Sequence, residues 1–125
     1  MIRSIFISFV FSTILLAEFE SDLQLKLILS EPGDTIYLES GLFPILGTLS
    51  MEGKENIVIK GSGTNGTILD FSTQIEGAQG LSITNCKNIT LEDFTIQDAK
   101  GDAIKCQDTD GIIFRHLKTH WTGGP

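Results

Sequence analysis

The residues best suited to contact a ligand lie near the end of the sequence, in the stretch RHLKTHWTGG. An exposed Trp121 could stack on a pyranose ring, while His116, Lys118 and His120 could bind hydroxyl or carboxylate groups of the same sugar. We therefore predict a carbohydrate-binding site formed by these four side chains. A second interpretation stays open, in which Trp121 packs beneath a loop of further coils and the histidines are solvated.

A second group of polar side chains lies in GDAIKCQDTDG, at Asp102, Lys105, Asp108 and Asp110. The last two, followed by Gly111, resemble the beginning of a Ca²⁺-binding loop, but the other ligands of such a loop are missing from the sequence. Asp and Gly are also common in the tight turn between two strands. We predict that turn, with no metal site and no cofactor, and keep Ca²⁺ as the alternative.

Size and charge limit the classes of function. The chain has 125 residues and a formal net charge of −7, which suits a single domain. Binding to nucleic acid requires clustered Lys and Arg, and the sequence has no such cluster. An acidic polysaccharide remains a possible partner if a metal ion or a local basic patch offsets the negative charge of the protein.

The first 17 residues have the pattern of a secretory signal peptide. Arg3 is the only charged residue before Glu18, and an apolar and hydroxyl-bearing run extends from Ser4 to Ala17. This run is shorter than the roughly 20 residues that span a bilayer. We predict removal of residues 1–17, a secreted or periplasmic domain over residues 18–125, and no transmembrane segment after removal of the signal. An uncleaved N-terminal anchor is the alternative.

The two cysteines have two possible states. Cys86 and Cys106 lie 20 residues apart in an exported chain, so they could form a disulfide. The alternative is a pair of reduced thiols buried as small apolar side chains on an inner wall. The sequence does not decide between them.

Short apolar alternations recur along the chain. KNITLEDFTI aligns with DGIIFRHLKT at an offset of 23 residues, and ENIVIKGSG begins in the same way. Strict alternation marks strands with one buried face, but strands of about five residues cannot bury that face alone. Because the similarity joins segments one repeat apart rather than adjacent segments, we predict a parallel solenoid in which equivalent residues stack.

This arrangement predicts a set of inward-facing side chains and two bends. Asn56 and Asn88 are expected at the bends, where their amides could satisfy unpaired backbone groups. The predicted inward residues are Ile36, Leu38, Leu49, Met51, Ile57, Ile59, Leu69, Phe71, Leu81, Ile83, Ile89, Leu91, Phe94, Ile96, Ile104, Cys106, Ile112, Phe114 and Leu117.

A coil of strands needs a cover at its first edge. SDLQLKLILSEPGD begins with a possible capping box at Ser21 and Gln24 and ends at Pro32 and Gly33. We predict a short amphipathic helix over residues 22–29 that closes the first coil. The alternation of leucines in the same run leaves a strand as the alternative.

Four segments carry a resemblance to a known family: EPGDTIYLESGLF, ENIVIKGSGTNGTILDF, KNITLEDFTIQDAKGDAIKC and HWTGGP. From Leu23 to Pro125 the chain resembles the opening turns of right-handed parallel β-helix proteins of the pectin lyase-like superfamily. The resemblance implies an all-β, right-handed parallel β-helix with a short N-terminal capping helix. It also implies about three coils, a truncation at the C-terminus, and possible self-association through the uncapped end.

The superfamily has enzymatic and non-enzymatic members, so the resemblance leaves the activity undecided. It matches no catalytic residue set, and the catalytic residues are therefore unknown. Our first hypothesis is an exported glycan-binding or scaffold module. The alternative is the N-terminal part of an enzyme acting on acidic polysaccharide, namely a uronate lyase, a C5-epimerase or a glycoside hydrolase.

Overall fold

A computed structural model describes residues 18–123, which form one helix and nine β-strands. The predicted signal peptide, residues 1–17, lies outside the described residues. Helix α1 covers residues 18–29. The strands are β1 Thr35–Tyr37, β2 Gly41–Pro44, β3 Leu49–Glu52, β4 Glu55–Lys60, β5 Thr67–Asp70, β6 Leu81–Thr84, β7 Lys87–Gln97, β8 Ile104–Gln107 and β9 Asp110–His120.

The strands form a parallel β-solenoid of about four turns, which confirms the predicted architecture and exceeds the expected three coils. One sheet has the order β3-β6-β8. In the other, β1, β4, β7 and β9 stack in succession, while β2 pairs with β5 and β5 pairs with the second half of β7. Each strand pairs with its equivalent one turn later, so that Ile57, Ile89 and Ile112 form one ladder.

The core consists of the inward rows of the first turns. Fourteen of the nineteen predicted inward residues, from Ile36 to Ile96 along the chain, are buried as expected. On the last turn, Ile104, Ile112 and Leu117 are only partly buried, and Cys106 and Phe114 are exposed. These five residues follow the predicted alternation of inward and outward side chains. Within residues 18–123, however, no further turn stacks on β8 and β9 to cover them.

The bends use left-handed backbone, which Asn, Asp and Gly adopt most readily. Asn56 and Asn88 both have φ 55°, as expected for residues at bends. Their side chains bond to each other, because Asn88 Nδ2 donates to Asn56 Oδ1 at 3.2 Å. The expected role in satisfying backbone groups is thus replaced by a side-chain ladder between turns.

Helix α1 is longer than predicted and has no capping box at Ser21. The helix already includes residue 18, so Ser21 lies within it. Leu23 and Leu27 are buried against the core, while Leu25 is 51% exposed, which is the pattern of a helix rather than a strand.

The helix closes the first edge of the solenoid through side-chain hydrogen bonds. Gln24 donates from Nε2 to the Ser50 carbonyl and accepts from the Ser50 N–H, both at 2.9 Å. The Leu46 N–H donates to Glu20 Oε1 at 2.7 Å. Gln24 therefore acts as a substitute for the neighbouring strand that β3 lacks on this side.

Both cysteines are free thiols in the structure. Cys86 is buried, as the second interpretation expected, but Cys106 is exposed on the last turn. Partial burial, with a smaller effect from Cys86, raises the pKa of the Cys106 thiol. The Cys106 side chain is therefore a neutral thiol at physiological pH.

We expect Gln24→Ala to lower the free energy of unfolding by about 1–2 kcal/mol, because two hydrogen bonds to the β3 edge are lost. Urea denaturation followed by circular dichroism measures this change. Lys26→Ala is the matched control, since Lys26 makes only an exposed pair with Asp22 at 3.0 Å, which contributes about 0.3–0.5 kcal/mol. Equal losses in the two variants would contradict the role of Gln24.

Candidate functional site

Three of the predicted ligand-contacting residues lie on the outer side of β9, and the fourth, Trp121, lies in the segment that follows it. Strand alternation directs Lys118 and His120 outward, and a bend with φ 49° at His116 brings that side chain to the same side. Trp121 follows directly and is 63% exposed. We call this surface, residues 115–121, the β9 track.

Ion pairs of Arg115 and Lys60, and a His116–Asp93 contact that is an ion pair only when the imidazole is protonated, join the start of the track to the preceding turns. Arg115 Nη1 lies 3.4 Å from Glu92 Oε2, and His116 Nδ1 lies 3.5 Å from Asp93 Oδ1. Lys60 Nζ lies within 4 Å of a carboxylate oxygen of both acids, at 3.9 and 3.8 Å. Such exposed pairs contribute little stability, but here they orient the side chains on either side of the bend.

Lys118 differs from its neighbours on the track. Within residues 18–123 it takes part in no ion pair, and its partner in register on β7 is Thr95. The Thr95 hydroxyl donates to the Thr64 carbonyl at 2.7 Å, so the loop of residues 61–66 covers that part of the preceding turn. Lys118 is therefore a cation without an ion-pair partner among residues 18–123. It lies next to the part of the preceding turn that the loop of residues 61–66 covers.

Asp98 holds the end of the track and was not predicted from the sequence. Its Oδ1 accepts from the Thr122 N–H and its Oδ2 accepts from the Thr122 hydroxyl, both at 2.7 Å. These two bonds, with a smaller contribution from His120, lower the pKa of the Asp98 carboxyl. We call this arrangement the Asp98 clamp, because it fixes the backbone next to Trp121.

The clamp also shapes a shallow cavity of about 250 Å³. His120 and Trp121 line it together with Asp98. His116 and Lys118 do not line this cavity. All four predicted residues are therefore exposed on the last described turn, but only His120 and Trp121 line a shared cavity.

The other predicted polar cluster behaves as a turn. Asp108 has φ 51° between β8 and β9, in register with Asn85 and Gly53, which also have positive φ. Asp110 is the first residue of β9. Across residues 18–123, no three His, Cys, Asp or Glu side chains are placed to share a metal ion.

We expect Asp98→Asn to lower the fluorescence anisotropy of Trp121, the only tryptophan of the chain, because the amide holds Thr122 less strongly. The lowered pKa means that the clamp is intact above the usual Asp value of about 3.9 and is lost as the pH falls through the folded-state value. Acid titration of the wild-type protein should therefore reproduce the effect of the variant below that pH. Asp102→Asn is the control and should leave the anisotropy unchanged.

Comparison with known proteins gives no relative from which a function could be transferred. No family model, no curated protein and no solved structure matches this chain. Helix α1, the one helix within residues 18–123, is not long and apolar enough to cross a membrane. The chemistry of the β9 track is therefore the basis for a functional conclusion.

Proposed function

We propose that this chain is an exported glycan-binding module that holds an acidic polysaccharide on the β9 track. The observation that carries the proposal is the local charge. Residues 111–121 contain Arg115, Lys118 and two histidines but no Asp or Glu, in a chain whose formal net charge is −7. Because Glu92 and Asp93 offset Arg115 and His116, the attraction for a polyanion is centred on Lys118, which has no ion pair within residues 18–123.

The geometry of the strand suits an extended polymer. Alternate residues of a strand lie about 7 Å apart, so Lys118 and His120 form a row of polar groups. Trp121 at the end of the row offers an exposed ring on which a pyranose can stack. The Asp98 clamp reduces the ordering cost of this contact because the backbone beside the ring is already held.

Lys118 is the proposed partner of a sugar carboxylate. Arg115 and His116 already face Glu92 and Asp93, whereas Lys118 can approach a uronate without breaking an existing ion pair. Because its pairing would be exposed, the electrostatic part of the binding should weaken as salt is added.

The proposal includes kinship with the pectin lyase-like superfamily and a right-handed winding of the coil. The parallel solenoid of about four turns supports the kinship, and the sequence segments that resemble the superfamily support both. Under the enzyme alternative, incubation with pectate or alginate and Ca²⁺ would produce new reducing ends or absorbance from unsaturated uronates. Under the proposal, neither product forms.

We expect Trp121→Ala to abolish retardation of the protein on affinity gels containing pectate or alginate, since loss of the stacking contact costs on the order of tenfold or more in affinity. Tyr37→Ala is the matched control, because Tyr37 is 70% exposed and lies on β1 at the opposite end of the solenoid. Unchanged retardation of the Trp121 variant would remove this residue from the site.

We expect Lys118→Gln to weaken binding to pectate by about two- to fivefold at low salt, which corresponds to an exposed charge pair of up to about 1 kcal/mol. Binding to a neutral glycan should be unchanged. Lys105→Gln, an exposed lysine on β8, serves as the control. Equal effects of the two substitutions would indicate attraction to overall charge rather than to the track.

A further inference from the structure

The outer wall beside the β9 track differs between the two ends of the track. Lys118 pairs in register with Thr95 of β7, which is 2% exposed beneath the loop of residues 61–66. His120 pairs in register with Gln97, the last residue of β7, which is only partly buried. The accessible polar surface is therefore one strand wide at Lys118 and two strands wide at His120.

Gln97 and His120 form a polar pair next to the ring of Trp121. Neighbouring strands lie about 4.8 Å apart, so these two outward side chains can contact the same sugar ring. The Gln97 amide both donates and accepts hydrogen bonds, as the hydroxyl groups of a sugar require. Trp121 follows His120 directly and supplies a face for stacking. This end of the track thus combines an aromatic ring with groups that bind hydroxyls.

Two carboxylates flank the same end of the track. Asp98 lines the shallow cavity together with Trp121. The bonds from Thr122 lower the pKa of the Asp98 carboxyl, so this group is ionised at neutral pH. On β5, the partner in register of Gln97 is Asp70. Gln97 and Trp121 therefore lie near two negative charges.

The two ends of the track consequently differ in local charge. Lys100 and Asp102 follow Asp98 in the same loop, and their formal charges cancel. A sugar carboxylate beside Trp121 would meet like charges, whereas a sugar carboxylate beside Lys118 would meet a cation. The first position suits a neutral sugar unit and the second suits a uronate.

We infer that the β9 track prefers a glycan in which uronate units alternate with neutral sugars, and that Gln97 contacts the neutral unit. The uronate carboxylate pairs with Lys118. The next unit stacks on Trp121 and bonds through its hydroxyls to Gln97 and His120, about 7 Å along the strand from Lys118. A polymer of uronate alone, such as pectate, is a weaker ligand because it also places carboxylates near Asp98. This inference rests on the proposed glycan binding and specifies its substrate class.

The first test compares two oligosaccharides of equal length, one from hyaluronan and one from pectate. Hyaluronan alternates a uronate with a neutral sugar and so carries half as many carboxylates. Isothermal titration calorimetry at low salt and a pH of about 8, above the usual range of histidine, measures both affinities. We expect hyaluronan to bind about three- to tenfold more tightly. Attraction to charge alone predicts the reverse order.

The outcomes of this comparison separate the inference from the proposed function. Pectate that binds as tightly as hyaluronan, or more tightly, would overturn the alternating substrate and leave glycan binding intact. A protein that binds neither oligosaccharide would overturn both the inference and the proposed function.

The second test changes the side chain beside the tryptophan. Gln97→Lys should reverse the preference, with pectate bound about threefold more tightly than by the wild type and hyaluronan about threefold more weakly. Gln107→Lys is the matched control, because Gln107 is an exposed glutamine of β8 and receives the same charge away from the track. This control should leave the ratio of the two affinities unchanged.

Circular dichroism spectra of both variants should match that of the wild type, so that changes in affinity report on binding rather than on folding. A Gln97→Lys variant that keeps the wild-type ratio of affinities would contradict the role of Gln97. An equal change of that ratio in Gln107→Lys would contradict it as well, since the preference would then follow overall charge.

Discussion

The stacking of equivalent residues in parallel register is the constraint on which the rest of this structure depends. Ile57, Ile89 and Ile112 lie above one another because β4, β7 and β9 are paired in register, and the inward rows of the other walls follow in the same way. A shift of one residue would turn each inward row to the solvent. The same register aligns the outer side of β9, so the β9 track, our proposed glycan site, depends on the ladder that builds the core.

The two ends of the solenoid meet this constraint differently. At the first turn, α1 supplies buried leucines and the paired bonds of Gln24 to Ser50, so the edge of β3 is satisfied within the chain. At the last turn, the inward positions Phe114 and Cys106 are exposed.

Sequence alternation predicted the facing of side chains but not their burial. It placed Leu91 and Phe114 in the same row, and both face inward, yet Leu91 is fully buried and Phe114 is half exposed. Burial depends on what stacks above a residue, which a local pattern does not contain. The need to cover the first edge of the coil correctly predicted a helix. The sequence pattern placed Gln24 in a helix cap, however, whereas Gln24 bonds to the edge of β3 at Ser50, 26 residues away.

The residue types of the candidate site could be predicted from the sequence, but the side chain that holds its end, Asp98, could not. His116, Lys118, His120 and Trp121 could be selected because they combine basic and aromatic groups in one strand. Asp98 could not, since its bonds to Thr122 span 24 residues and an Asp after a strand is ordinary in a turn. Long-range hydrogen bonds of this kind become visible only when the register is known.

Hydrogen–deuterium exchange of the full chain, with and without an excess of pectate oligomers, tests the central claim most directly. The account predicts slower exchange in residues 115–122, with unchanged exchange in residues 34–60 on the opposite turns. Protection confined to those opposite turns, or binding of pectate with no protection along β9, would contradict it.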